Sequence, residues 1–221
     1  MARQLRLGLR RPPSFRLEDF VLGDSNCQAH AMVLGAGGWP GGALALVGPE
    51  GVGKSHLAHI WAEQAGAQRL GCDGSVLGEP GPALIEDVDQ GCDEELLFHR
   101  INMAAHDGGG LLLTARTLPL TWTARLPDLR SRLNALPVAE ITAPDDAVLE
   151  AVLRIFLARC NITPSDEVLS YLLRRIERSV PAAWEVVDRM DAASGEAHRP
   201  VTRALARQVL ENDTENLDLF E

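Results

Sequence analysis

One short loop restricts the possible folds of this chain more than any other part of its sequence. The pattern G-x-x-x-x-G-K-[ST] is fitted by residues Gly48–Ser55, which read GPEGVGKS. The apolar run Ala43–Val47 before the loop predicts a buried strand, and His56–Ala62 after it has the spacing of an amphipathic helix. In such a strand–loop–helix unit, backbone N–H groups of the loop and the helix N-terminus surround anionic oxygens. The sequence therefore predicts an α/β fold built around a phosphate-binding loop.

The lysine of this loop is the only lysine in the chain. Of 21 basic side chains, 20 are arginine and one is Lys54. A compact ammonium group reaches β- and γ-phosphates in a pocket that a planar guanidinium does not fit. Ser55 would place its hydroxyl on Mg²⁺. We predict that the loop binds a nucleoside di- or triphosphate with Mg²⁺, through Gly48, Glu50, Gly51, Val52, Gly53, Lys54, Ser55 and His56.

Composition excludes several other classes of protein. A net charge of −10 over 221 residues argues against a broad nucleic-acid-binding face, because phosphate contacts need locally dominant Lys and Arg. No signal peptide and no apolar run of membrane-spanning length is present. The four cysteines form no C-x-x-C pair and are expected to be reduced thiols. We expect a soluble, cytoplasmic protein.

The chain divides into an α/β part and a helical part. Short apolar runs alternate with helical spacing as far as Pro144, which predicts a mainly parallel sheet. The strand candidates are Ala43–Val47, Ala83–Ile85, Gly110–Thr114 and Val138–Ile141. Helical spacing then dominates over Asp145–Cys160, Ser165–Arg178, Ala182–Ala193 and Pro200–Glu211. The expected organisation is a tail (1–13), an α/β nucleotide-binding domain (14–145), an all-α lid (146–212) and an acidic tail (213–221).

A second acidic element follows the second predicted strand. Glu86 and Asp87 come directly after the apolar run Ala83–Ile85, where carboxylates organise Mg²⁺ and orient the attacking water. We assign Glu86 to the metal and Asp87 to polarising water, although the sequence leaves open which carboxylate is catalytic. At the end of the third predicted strand, Thr114 is expected to touch the γ-phosphate or the water.

Three segments resemble the AAA+ domain of the bacterial replication initiator DnaA. They are Asp19–Ala31, Glu94–Asn102 and Leu129–Leu133, and the resemblance extends in order over residues 15 to 212. It implies a parallel five-stranded sheet followed by a small helical lid, with ADP or ATP as ligand; which nucleotide is resident stays open. It also implies that Phe20, Val21 and Leu22 form one wall of the adenine pocket and that Arg132 occupies the position of an arginine finger.

The predicted architecture is similar to that of the Hda family of DnaA-related regulators. No helix-turn-helix DNA-binding domain is expected after the lid, and Gln4, Leu5 and Leu7 of the tail resemble a peptide that binds the DNA polymerase III sliding clamp. The resemblance implies DnaA and the clamp as partners. It implies stimulated hydrolysis of DnaA-bound ATP as the function, which prevents over-initiation. The segment Asn216–Phe220 also resembles a clamp-binding peptide; the alternative is a hydrophobic tail that packs on its own lid.

Two positions depart from the pattern of these relatives. Arg116 stands where an Asp is usual, and Pro181 stands where the lid usually carries an arginine. Arg175 or Arg178 would replace that arginine only if the lid helix were rotated. We therefore expect a weak intrinsic ATPase, and the alternative is an autonomous AAA+ ATPase such as a DnaC-like helicase loader. Monomer and homodimer both stay open. The sequence also predicts that Trp61 and Trp184 are core residues.

Overall fold

A parallel five-stranded sheet forms the centre of the N-terminal part of the chain. The computed structural model describes residues 15–107, 109–197 and 201–217. The strands are β1 (Ala43–Val47), β2 (Gln68–Leu70), β3 (Ala83–Ile85), β4 (Leu111–Ala115) and β5 (Val138–Glu140). Their order across the sheet is β2-β3-β4-β1-β5, and every pairing is parallel. Because β4 lies between β1 and β3, the carboxyl ends of these three strands meet at one edge. The predicted α/β fold with five parallel strands is confirmed.

Four helices cover the two faces of this sheet. They are α1 (Cys27–Leu34), α2 (Lys54–Ala65), α3 (Glu94–Asp107) and α4 (Pro127–Asn134). Ala45 and Val47 of β1 belong to a core cluster with side chains of α3 and α4, whereas Leu44 and Leu46 join a second cluster with α1 and α2. Burial on both faces explains why β1 is apolar throughout and does not alternate.

The C-terminal part is a helical lid with its own apolar core. It consists of α5 (Asp146–Arg159), α6 (Asp166–Leu173), α7 (Val180–Ala197) and α8 (Arg203–Leu217), whose buried side chains form a third cluster. The helix predicted over Ser165–Arg178 is too long, because the chain turns after α6 and Ser179 caps the next helix through a hydrogen bond from Ala182 N–H. Within the described ranges, no helix is both long and apolar enough to cross a membrane.

Two elements of the sheet domain were not among the sequence-based predictions. Strand β2 has only three residues, two of them polar and none of them buried, and it pairs with β3 alone. It is an edge strand, so it lacks the apolar run by which buried parallel strands are recognised. Helix α1 was missed as well, because its only buried residues are Ala29 and Val33 and it has no charged residue in either end turn.

Asp145 should make a pH-dependent contribution to stability at the start of the lid. Its carboxylate accepts a hydrogen bond from Val148 N–H at 2.8 Å, and the hydrogen bonds from Val148 and other backbone N–H groups lower the pKa of Asp145. Asp145→Ala is expected to reduce the free energy of unfolding by about 1 kcal/mol at neutral pH. A carboxyl group whose pKa is lowered in the folded state contributes its full stabilisation of the fold at pH values above its unfolded pKa of about 3.9. This contribution is lost as the pH falls through the folded-state pKa.

Urea unfolding at pH 7 and at stepwise lower pH, down to about 3, measures this loss. Ser165→Ala provides the control, because the Ser165 hydroxyl caps α6 through Val168 N–H without carrying charge. The Ser165→Ala penalty should stay constant while the Asp145→Ala penalty shrinks. An Asp145→Ala penalty that is the same at every pH would contradict the assignment.

Candidate nucleotide-binding site

A cavity of about 870 Å³ lies between the phosphate loop and the lid. The loop lines it through Glu50–Ser55, and Asp87 and Arg116 follow from the ends of β3 and β4. The opposite wall is largely apolar and comes from α5 and α7, with Val148, Val152, Ile155, Phe156, Pro181 and Trp184. The loop side is therefore polar and charged, and the lid side is mainly apolar, while Arg16, Glu18, Asp19 and Arg159 add charged groups to the lining.

The phosphate loop is held in shape by its own lysine. Lys54 is buried, and its ammonium group donates to the carbonyls of Gly48 at 2.8 Å and Pro49 at 2.7 Å. Gly48 has a φ of +151°, and a methyl group there would lie 2.1 Å from the Ile141 carbonyl oxygen. Only glycine allows the loop to pass so close to the end of β5. Gly48 and Lys54 thus give this segment the loop conformation that the sequence motif predicts.

Opposing charges surround the Lys54 ammonium. Burial lowers the pKa of Lys54, and the carboxylate of Asp87 opposes this effect. Arg116 lowers the pKa further, whereas Asp89 and Glu50 raise it. The charged groups of the loop and of the β3 and β4 ends thus all act on one ammonium group. An anionic ligand beside Lys54 would add to the stabilisation that the carboxylates provide.

The lid contacts the phosphate loop directly. The Val180 N–H at the start of α7 donates to the Gly51 carbonyl at 2.9 Å. Gly51 has a φ of +74°, and a methyl group there would lie 2.8 Å from Cδ of Pro181. Pro181, at the position where the family resemblance implies an arginine, therefore packs its ring on the loop. The loop and the lid meet through a backbone hydrogen bond and an apolar contact.

The structure separates the two candidate carboxylates. Asp87 lines the cavity, and its backbone N–H donates to the Thr114 hydroxyl at 3.0 Å. Glu86 instead places its carboxylate 2.9 Å from Nε2 of His59, on α2, and is not among the residues that line this cavity. Thr114 is buried and also does not line it. The geometry thus favours Asp87 over Glu86 for contact with a ligand, and gives Thr114 the task of positioning Asp87.

Aromatic and imidazole rings form the other end of the cavity. Phe20 stacks on His30, with 5.8 Å between ring centroids, and meets His56 edge-on at 5.3 Å. The His56 ring donates to the Arg16 carbonyl, and burial lowers the pKa of His56, which keeps the ring neutral at physiological pH. Phe20 and Val21 line the cavity as expected, whereas Leu22 is 54% exposed and is not among the lining residues.

Sequence reasoning missed part of this apolar wall. Trp61 is buried as predicted, but Trp184 lines the cavity and meets Phe156 edge-on at 5.1 Å, so its prediction as a core residue was wrong. Phe15 also lines the cavity and meets the His59 ring edge-on, with 4.3 Å between the ring centroids. Helical spacing places Phe156 and Trp184 on apolar faces, but it does not show that these faces meet across a cavity.

Neither lid arginine considered as a substitute reaches the cavity. Arg178 pairs with Asp146 at 2.6 Å, and Arg175 lies over the Tyr171 ring at 4.1 Å. A third lid arginine, Arg159, lines the cavity and pairs with Asp19 at 2.6 Å. Arg116 also lines the cavity, and its charge lowers the pKa of Lys54.

Arg132 lies outside this cavity. It is exposed on the last turn of α4, and its side chain forms no hydrogen bond or ion pair with any residue that the structure describes. Its neighbour Arg130 is anchored by a hydrogen bond to the Ala124 carbonyl at 2.9 Å. The predicted clamp-binding residues Gln4, Leu5 and Leu7 lie outside the described residues, as does the end of the segment Asn216–Phe220.

Comparisons with known proteins agree with the helical lid and with the nucleotide-binding fold described above. The model of the family "Hda, lid domain" matches residues 151–210. DnaA of Thermomicrobium roseum is 24% identical over 230 residues, which cover 90% of this chain and 50% of that protein. The chain thus spans about half the length of the curated relatives it matches.

The fold is also that of solved DnaA structures. Domain III of Thermotoga maritima DnaA has a TM-score of 0.74 at 19% identity, covering 91% of this chain and 97% of that one. AMPPCP-bound DnaA from Aquifex aeolicus has a TM-score of 0.68 at 18% identity, covering 84% and 67%. Over most of its length the chain is thus similar in sequence to DnaA and has the fold of DnaA domain III, and its C-terminal part matches the Hda lid family.

Proposed function

We propose that this protein inactivates the replication initiator DnaA by stimulating hydrolysis of DnaA-bound ATP, together with the DNA-loaded sliding clamp. The observation that carries the proposal is the position of Arg132. It is exposed on a packed helix, outside the chain's own cavity and without a partner among the described residues. The Hda-type lid supports the same reading. Such an arginine is available to another molecule's nucleotide.

The protein's own site is proposed to hold ADP or ATP as a ligand that joins the loop to the lid. Lys54 and the loop N–H groups would bind the phosphates, and the aromatic end would take the adenine. Ser55 and Asp87 line the same cavity and offer the oxygen donors that Mg²⁺ prefers, the remaining positions being filled by phosphates and water. The ion would neutralise phosphate charge. With Glu86 on His59 and Pro181 on the loop, intrinsic turnover should be low.

Arg132 is proposed as an arginine finger supplied in trans. An arginine that neutralises charge in the transition state of phosphoryl transfer increases turnover by about 10³- to 10⁵-fold. The segment before α4 exposes Leu118 by 48%, Leu120 by 73% and Leu126 by 40%. These leucines supply apolar surface on the approach to α4, where a docking partner would bring its nucleotide close to Arg132.

The clamp is proposed to bind the tail that contains Gln4, Leu5 and Leu7. The chain that follows this tail enters the nucleotide site, because Phe15 and Arg16 line the cavity. A bound clamp would thus hold the protein, and through it DnaA, at replicating DNA.

A reconstituted hydrolysis assay tests the proposed function. DnaA loaded with ATP, the sliding clamp loaded on DNA, and this protein with ADP should together hydrolyse ATP far faster than DnaA alone. Deleting residues 1–9 should abolish the stimulation, because the protein could no longer bind the clamp. No stimulation by the complete mixture would refute the proposal. Turnover by this protein alone near about 1 s⁻¹ would instead favour an autonomous ATPase such as a helicase loader.

A further inference from the structure

Helix α4, which carries Arg132, has no side-chain cap of its own. Its N-cap is Leu126, whose side chain accepts no hydrogen bond, and Pro127 at the first helical position has no N–H. The helix has only eight residues, and isolated helices of this length are not stable in water. Contacts with the rest of the protein must therefore fix where α4 begins and how it is oriented.

Glu94 supplies such a contact from a different helix. It is the first residue of α3, and both of its carboxylate oxygens accept a hydrogen bond from Arg125 N–H at 3.0 Å. One of these oxygens also accepts a hydrogen bond from Leu126 N–H at 3.1 Å. A carboxylate that accepts from backbone N–H groups forms stronger hydrogen bonds than a neutral acceptor does. A single side chain of α3 thus holds the two residues that lead into α4.

The other contacts of α4 determine its buried face. Leu129 and Leu133 lie one turn apart and belong to the same core cluster as Leu96 of α3. Apolar contacts are not directional, so they tolerate small shifts of one helix against another. The hydrogen bond from Arg130 to the Ala124 carbonyl joins two residues of the same segment and does not tie that segment to α3. The directional bonds of Glu94 therefore add a fixed point at the start of α4.

The position of Arg132 depends on where α4 starts. Arg132 lies about 9 Å along the helix axis from Leu126, because each residue of an α-helix rises about 1.5 Å. Its side chain is exposed and has no partner among the described residues, so the backbone of α4 places it. A misplacement of about 1 Å can cost about 100-fold in the rate of a reaction that depends on alignment. A shift at the start of α4 would thus reduce what Arg132 can contribute.

We propose that Glu94 is a positioning residue for Arg132, because it holds the start of α4 on α3 and so places the guanidinium for a partner's nucleotide. The role of Glu94 rests on the proposed function, in which Arg132 acts in trans. Glu94 does not line the chain's own cavity, and it acts on the partner's nucleotide only through α4. Its loss should therefore change the rate of hydrolysis more than the binding of the partner.

Hydrogen exchange measures the contact before any partner is added. Glu94→Ala should speed the exchange of the Arg125 and Leu126 N–H groups by at least about 10-fold, because both lose their acceptor. Glu95→Ala is the matched control. Glu95 is the next residue of α3, is exposed, and forms no hydrogen bond or ion pair with the residues that the structure describes. Equal exchange in the wild type and in Glu94→Ala would overturn the inference.

The reconstituted hydrolysis assay then separates positioning from docking. When this protein is titrated into ATP-loaded DnaA and DNA-loaded clamp, Glu94→Ala should lower the maximal stimulated rate about 10-fold. The half-saturating concentration should change by less than about 2-fold. Glu94→Asp, whose carboxylate is one methylene shorter, should lose as much, whereas Glu94→Gln keeps one carbonyl acceptor and should lose about 3-fold. Added to Arg132→Ala, Glu94→Ala should cause no further loss.

Asp93→Ala controls for a general loss of stability. The Asp93 carboxylate caps α3 itself, through Leu96 N–H at 2.8 Å. Asp93→Ala and Glu94→Ala should both lower the melting temperature by about 2–4 °C, but only Glu94→Ala should lower the maximal rate. An equal loss of rate in both variants would overturn the inference. So would a raised half-saturating concentration with an unchanged maximal rate.

The same assay distinguishes failure of this inference from failure of the proposed function. If the wild type stimulates hydrolysis and Arg132→Ala does not, full stimulation by Glu94→Ala would overturn the role of Glu94 alone. A wild-type chain that gives no stimulation would refute the proposed function and the role of Glu94 with it.

Discussion

Replacing Lys54 with methionine is expected to weaken the binding of both ADP and ATP by roughly 100-fold. A charge-assisted hydrogen bond contributes about 1.5–3 kcal/mol, and burial of Lys54 places this bond at the upper end of the range. Methionine fills a similar volume but carries no charge. Because the β-phosphate that Lys54 is expected to reach is present in both ligands, both dissociation constants should rise. Calorimetric titration with each nucleotide measures this directly.

A thermal shift gives a second measurement of the same effect. A ligand at about 100 times its dissociation constant stabilises the folded state by about 2.7 kcal/mol, so excess ADP should raise the melting temperature of the wild type. Lys54→Met should lose nearly all of this increase. Lys54→Arg is the sharper control, since it keeps the charge but not the compact shape, and we expect it to bind poorly as well. Wild-type affinity in Lys54→Met would mean that the nucleotide does not use this loop.

The sequence predicted the parts of this molecule that depend on local patterns. Apolar runs located β1, β3, β4 and β5, and helical spacing located the lid, because both signals are contained in short stretches of chain. The phosphate loop was predicted for the same reason. Strand β2 was missed because three half-exposed residues at a sheet edge carry no such signal.

Which side chains line the cavity depends on tertiary contacts, and these cannot be read from a local sequence pattern. The sequence places Glu86 and Asp87 next to each other, but their different environments come from His59 on α2 and Thr114 on β4. Likewise, Trp184 has the spacing of a core residue, and only the packing of α7 against the loop brings it to the cavity. Tertiary contacts decide which of several suitable side chains reaches the ligand.

Pro181 shows how a departure from a family pattern changes the chemistry of a site. An arginine at this position would add a cation to the phosphate end, whereas the proline ring packs on Gly51 beside the hydrogen bond between Val180 and the Gly51 carbonyl. The lid is thus attached to the loop more through packing than through charge. Such a site suits a ligand that is held for long periods better than one that is turned over.

Replacing Arg132 with alanine is expected to reduce the stimulated hydrolysis of DnaA-bound ATP by at least about 100-fold. The expected loss follows from the contribution of about 10³- to 10⁵-fold that arginine fingers make when supplied in trans. The protein's own nucleotide affinity should not change, because Arg132 does not line the cavity. Stability should change by less than about 0.5 kcal/mol, as is usual for an exposed side chain that has no partner among the residues the structure describes. The measurement combines the reconstituted hydrolysis assay with an ADP titration of the same preparation.

Arg125→Ala is the matched control for this variant. Arg125 is an exposed arginine on the approach to α4, and its backbone N–H, not its guanidinium, is held by Glu94. If Arg132 is the finger, Arg125→Ala should retain most of the stimulation while Arg132→Ala loses it. The reverse result would transfer the role to Arg125. Full stimulation by both variants would show that neither Arg125 nor Arg132 acts as an arginine finger. The protein would then only bring DnaA to the clamp. Such a docking role needs the apolar surface before α4 but no guanidinium group.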